Sequence, residues 1–154
     1  MKKLVRSVAF AFIHCRKWIT SVFIVYCFSC FAGIFMVHHG NRFALSYRDK
    51  IVSYAVKNDK ASINYISGNR ITAALFDFAG NLIIGSGVQT FIGLSIGGPY
   101  FTTAYQGWIG GIVSVDGNHI SRLHKIKSAI YYFTVLLLQF IPYSLTIGSG
   151  IKWG

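Results

Sequence analysis

Glutamate is absent from this chain, and its only acids are four aspartates, Asp49, Asp59, Asp77 and Asp116. General acid–base chemistry needs carboxylates or histidines held within hydrogen-bond reach of a reacting group. No two of these acids form a local pair, and no nucleophile is assigned a general base. No glycine-rich loop of the phosphate-cradling kind precedes a helix either. The five histidines, His14, His38, His39, His119 and His124, all fall near the edges of apolar runs. These absences point away from an enzyme, and no catalytic residue is assigned.

Charge of either sign is also scarce, at 12% of residues, against roughly 25% in ordinary soluble domains. Proline occurs twice, at Pro99 and Pro142, and cysteine three times, at Cys15, Cys27 and Cys30. Cys27 and Cys30 lie three residues apart on one helical face. A zinc site would need a second such pair or suitably spaced histidines, so the thiols read as small packing groups. His38 and His39 are adjacent, and on a helix adjacent side chains point apart and do not chelate together. No metal ligand is expected. No nucleic-acid motif accompanies the 15 Lys and Arg that give the net charge of +11.

What is abundant is apolar sequence: 53% of residues are hydrophobic and 16% aromatic. The charged residues avoid three long stretches, the pattern of a polytopic membrane protein. A hydrocarbon core takes about 20 helical residues. Residues 18–37 are one uncharged span, flanked by Arg16 and Lys17. Residues 71–154 form a glycine-rich core, within which Ile71–Val115 has room for two spans. Gly97-Gly98-Pro99 divides that stretch, giving a helical hairpin of Leu75–Ile96 and Pro99–Val115. Ser128–Gly150 is the last span, with a Tyr131-Tyr132-Phe133 aromatic belt and Pro142 expected to kink it. Residues 1–17 are a basic amphipathic segment. Residues 40–70 are an extramembrane segment with an amphipathic helix over about Arg42 to Asn58, resting on the membrane or on the hairpin. The expected fold is therefore all-α: a membrane bundle of about four transmembrane helices with one or two surface helices.

In this scheme the N-terminus, the Gly97–Pro99 turn and the C-terminus share one side. That side carries five Lys/Arg before Trp18 plus Lys152, against six in the long loop and three in the basic loop. The positive-inside rule favours cytoplasmic loops only weakly, and orientation stays open.

Small residues four apart let helix backbones approach closely. Gly93/Gly97, Gly107/Gly111 and Ser144/Gly148 have that spacing and are the expected helix-packing residues. Asp77, Asn81, Gln89 and Gln106 are the polar groups within the spans, either interhelical hydrogen-bonding groups or a path for a solute. Arg16, Lys17, Arg122, Lys125 and Lys127 flank apolar spans, where anionic lipid head groups are the simplest partner. No cofactor is expected, though bound lipid fits the composition.

The succession Phe78-Ala79-Gly80-Asn81, Gly85, Gln106-Gly107-Trp108-Ile109-Gly110 and Leu136-Leu137-Leu138 leading to Pro142 resembles the stage II sporulation protein M family. Asn81 looks like that family's Asn in an early span, and Gln106-Gly107 like a variant of its Asn-Gly. Pro142 looks like the proline of its Pro-His-Gly-x-x-Glu run, with Tyr143-Ser144 and Ile147 replacing the His-Gly and the Glu. The resemblance covers roughly Leu75 to Gly150. It implies an integral protein of the bacterial inner membrane acting within a multi-subunit assembly. The expected function is thus a non-catalytic subunit of a larger membrane complex, partnered by other membrane subunits and anionic lipid. The alternative is a transporter or channel component with a polar path near Asp77, Asn81 and Gln89.

Overall fold

The computed structural model describes residues 2–80, 83, 87–88, 91–92 and 97–153, the side chains of residues 2–12, 142 and 153 excepted. Among them the protein is all-α, its one strand-like feature an isolated antiparallel bridge between Val115 and Ser121. The helices are α1 (Lys2–His38), α2 (Arg42–Asn58), α3 (Lys60–Ile66), α4 (Arg70–Gly80), α5 (Gly98–Ile112) and α6 (Ile126–Trp153).

α1 joins the basic N-terminal segment and the first apolar run into one 37-residue helix. Its end is set by Gly40, whose φ of 70° is the left-handed conformation glycine adopts without penalty. The Gly40 amide donates to the Val37 carbonyl at 3.2 Å and the Asn41 amide to Met36 at 2.9 Å, the bond pair of a Schellman stop. Asn41 then caps α2, its Oδ1 accepting from the Ala44 amide at 3.1 Å. Asp59 does the same for α3, accepting from the Ser62 amide at 2.8 Å and from its hydroxyl at 2.7 Å. These bonds hold the Asp59 carboxyl below the usual carboxylate range.

α1 and α5 run parallel. Ser21 and Tyr100 share a hydrogen bond of 3.0 Å, Gly107 faces Tyr26, and Gly111 faces Cys30. α6 runs antiparallel to both, bringing Phe140 onto Tyr26 with ring centroids 3.7 Å apart and Gly148 onto Ile19. Two apolar clusters result. Val22, Tyr26, Phe140 and Ile147 fill the middle of the bundle, while Val37, Ala44, Ile112 and Val115 close one end.

At that end the long polar segment and the basic loop meet, where His38 Nε2 and Ser121 Oγ are 2.7 Å apart. Asp116-Gly117-Asn118 forms a turn, with Asp116 Oδ1 accepting from the Asn118 and Ile120 amides at 2.9 Å each. The amphipathic helix expected over Arg42 to Asn58 is α2, and it rests on α5. Phe43 and Tyr47 pack against Trp108, and Tyr47 Oη lies 3.0 Å from Tyr105 Oη.

Among the described residues, two helices are long and apolar enough to cross a membrane. Ile13–His38 has a mean hydropathy of 2.1 and Ile126–Lys152 one of 1.5. α6 runs through Pro142 as one helix. α5 has 15 residues, so it rises about 22 Å at 1.5 Å per residue, short of the roughly 30 Å hydrocarbon core. The first arm of the expected hairpin, Leu75–Ile96, coincides with α4 as far as Gly80, and most of its remainder lies outside the described residues.

Candidate functional site

The packing glycines come first, because they set how near the helices lie. A Cβ built on Gly107 would collide with the Tyr26 carbonyl oxygen, and one on Gly111 with the Cys30 carbonyl oxygen. The Cα hydrogens of both glycines therefore point at α1 carbonyls, the arrangement of weak Cα–H···O bonds. The reciprocal position on α1 is Gly33, whose Cβ would sit 2.5 Å from the Trp108 carbonyl oxygen and 3.0 Å from Gly111 Cα. Gly33 went unassigned in the sequence reading. The signal was present: Ser29 and Gly33 are themselves four apart, and the Gly107 position abuts the Ser29 Cβ at 3.1 Å.

Gly148 also packs as its spacing implies, with a Cβ there falling 2.6 Å from Ile19 Cγ1. Ser144 is buried one turn earlier and donates to the Ile141 carbonyl at 2.8 Å. Gly97 behaves differently. Its φ is 83°, it precedes the first turn of α5, and a Cβ would touch only Phe101 at 4.0 Å. It serves the turn ahead of Pro99, which suits the first turn of a helix because its missing N–H has no partner there. Gly93 lies outside the described residues. The glycine faces of α5 and α6 are thus covered by α1 of the same chain, so they are not open to another subunit.

Of the four polar span residues, Asn81 and Gln89 lie outside the described residues. Asp77 is exposed and lines a cavity of about 670 Å³ with Asp59, Tyr65, Arg70 and Arg122. Gln106 lines a different cavity of about 430 Å³ with Tyr26, Tyr105, Gln139 and Tyr143. Its Oε1 is buried, without a hydrogen-bond partner among the described residues. Asp77 and Gln106 therefore do not share one site. Tyr132, also unassigned from sequence, sends its hydroxyl to the Gly110 carbonyl and ties α6 to α5.

Charge gathers at the loop end. Arg48 is 4% exposed and donates to Asp49 Oδ1 at 2.8 Å, while Asp49 Oδ2 lies 2.9 Å from His119 Nε2. Asp49 thus links α2 to the α5–α6 connection. Arg48 first, then His119, holds its carboxyl below the usual range. The Ile120 and Asn118 amides, with the charges of Arg122 and Arg48, lower Asp116 likewise. Nothing in the sequence marked Arg48 for burial, since it sits in a polar helix beside other cations.

The head-group candidates divide by end. Arg16 and Lys17 are exposed on α1, one turn or less before Ile19. Arg122, Lys125 and Lys127 are exposed where the loop meets α6. Arg122 and Lys127 line a common cavity of about 720 Å³ with Tyr131, Tyr132 and Val135, and Lys125 is not among its walls. No family model, curated protein or solved structure matches this chain.

Proposed function

We propose that the chain is a non-catalytic integral membrane subunit of a larger complex, crossing the bilayer about four times. The observation that carries this reading is the exposure of the two apolar helices. Only 22% and 18% of their most apolar windows is buried, whereas the core helix of a soluble protein is mostly covered. On α1, Phe28, Phe31 and Phe35 form a stripe 74%, 62% and 63% exposed. Large contiguous apolar patches of this kind mark lipid or partner surfaces. The remaining two crossings would come from the hairpin of Leu75–Ile96 and Pro99–Val115, with α5 short enough to require tilt or local thinning of the bilayer.

Because the described glycine faces of α5 and α6 are occupied within the chain, the aromatic stripe of α1 is one apolar surface left for another subunit. The resemblance to the stage II sporulation protein M family supports a subunit role and a place in a bacterial inner membrane. A transport path near Asp77, Asn81 and Gln89 is the second reading; Asp77 borders the 670 Å³ cavity, and Asn81 and Gln89 lie outside the described residues.

Extraction in a mild detergent followed by native mass spectrometry tests the proposal. Co-purification of other membrane proteins at fixed ratio supports it. A clean monomer or homo-oligomer overturns the subunit assignment and leaves transport as the reading to pursue.

A further inference from the structure

The cavity lined by Arg122 and Lys127 has a graded wall. Lys127, Tyr131 and Val135 are four apart along α6, and Ser128, Tyr132 and Leu136 run alongside from hydroxyl to aliphatic. On a helix such residues stack on one face, each step about one 5.4 Å turn deeper. The lining therefore passes from cation, through hydroxyl-bearing aromatic, to aliphatic within about two turns.

The same polarity order describes a phospholipid: phosphate, then ester region, then acyl chain. Arg and Lys near a helix end reach for the head-group level, and Tyr favours the interface where one edge is apolar and the other wet. Val113, Leu136 and Gln139 also line the neighbouring 430 Å³ cavity, so beyond the aliphatic Val135 and Leu136 the groove continues inward between α5 and α6 to a polar end at Gln139 and Gln106. A volume of 720 Å³ falls in the range of small-molecule sites, roughly 300–1,000 Å³.

Neither Arg122 nor Lys127 makes an ion pair among the described residues, although Asp116 lies within reach of the Arg122 charge. The surrounding loop adds Lys125 and His124 against one acid, Asp116, while Arg122 also borders the 670 Å³ cavity that holds Asp59 and Asp77. This excess of cations suits an anionic occupant. A free phosphate would leave the apolar floor uncovered, and an acidic peptide would not match the aliphatic depth.

We infer that the groove between the α5–α6 loop and α6 is a binding site for one anionic phospholipid. Its phosphate sits at Arg122 and Lys127, and an acyl chain lies along Val135 and Leu136. The inference rests on the membrane reading of the chain.

The test uses the full chain, purified in detergent, stripped of lipid and titrated with phosphatidylglycerol or phosphatidylcholine, with bound lipid counted by native mass spectrometry. The expected result is one phosphatidylglycerol retained at least fivefold more strongly than phosphatidylcholine. Arg122→Gln with Lys127→Gln should abolish that preference, whereas Arg16→Gln with Lys17→Gln, an equal loss of charge at the other end, should preserve it. Val135→Trp should reduce retention with both cations in place, and millimolar inorganic phosphate should not displace the lipid. Helical circular dichroism checks that each variant is folded. Equal retention of the two lipids, an equal effect of the two charge pairs, or displacement by phosphate overturns the site. Failure of the membrane reading looks different: the protein would leave membranes in alkaline carbonate without detergent.

Discussion

Gly111 and Cys30 face each other with no room for a side chain, because a Cβ on Gly111 would occupy the space of the Cys30 carbonyl oxygen. The neighbour is backbone, which cannot rotate away as a flexible side chain does. Overpacking of this kind usually costs about 1–3 kcal/mol, and more where backbones must separate. Gly111→Leu and Gly107→Leu should therefore each destabilise the α1–α5 pair by about 3 kcal/mol or more. Gly80→Ala, where a Cβ meets nothing within 4 Å, should be neutral or stabilising by up to about 1 kcal/mol. Thermal unfolding in detergent, followed by circular dichroism, checks the contrast. Equal melting of all three proteins would refute the close seam.

Gly97 makes the complementary prediction. Its spacing from Gly93 reads as a packing motif, yet its φ of 83° and open surroundings give it a turn role. Gly97→Ala should cost about 1–2 kcal/mol through backbone strain alone. Cross-linking between Ser21→Cys and Tyr100→Cys in a cysteine-free background should be unchanged, because the helix register does not depend on that residue. Loss of the cross-link would restore a packing role.

The Asp49 bridge predicts a pH dependence. Its folded-state pKa lies below the unfolded value of about 3.9. The stabilisation is then complete above about pH 4 and fades as pH falls through the lower folded value. Asp59 and Asp116 shift in the same direction and fade in the same window. Trp108 reports on α2 because Phe43 and Tyr47 cover it. In a Trp18→Phe, Trp153→Phe background, its emission should stay constant from neutral pH to about pH 4 and shift red below that. Asp49→Asn should cost less than about 1 kcal/mol, since the carboxylate is half exposed. A transition near neutral pH would contradict the assignment.

Tyr132 joins α6 to α5 through one hydroxyl. Tyr132→Phe keeps the ring and removes the bond to Gly110, a loss of about 0.5–1.5 kcal/mol. Chemical unfolding in mixed detergent micelles measures it, and a change below about 0.3 kcal/mol would mean the bond is not formed.

Much of this architecture could be read from residues. Gly40-Asn41, Ser67-Gly68-Asn69 and Asp116-Gly117-Asn118 are local signals whose hydrogen bonds close within a few residues, so they survive whatever packs around them. The bounds of α2 follow for the same reason, from Asn41 and Asp59 as caps. Gly107 and Gly111 were legible as a packing face, but their partner was not. Spacing within one helix says a neighbour will come close and does not say which, so Gly33 and the intramolecular use of the seam needed the structure. Arg48 and Tyr132 were hidden because their burial depends on contacts between segments far apart in sequence. The polar residues Asn81 and Gln89 expected on the first hairpin arm lie outside the described residues, while Asp77 and Gln106, on different helices, border different cavities.

The parallel pairing of α1 with α5 also constrains how the chain is made. Roughly eighty residues separate Gly33 from Gly111, so at 5–20 residues per second the first helix emerges about 4–16 s before its mate exists. Throughout that interval the groove around Gly33 lacks the α5 backbone that covers it in the folded chain. Closure of the α1–α5 seam is therefore a late event, timed by arrival of α5 rather than by entry of α1, and α6 can dock only after it.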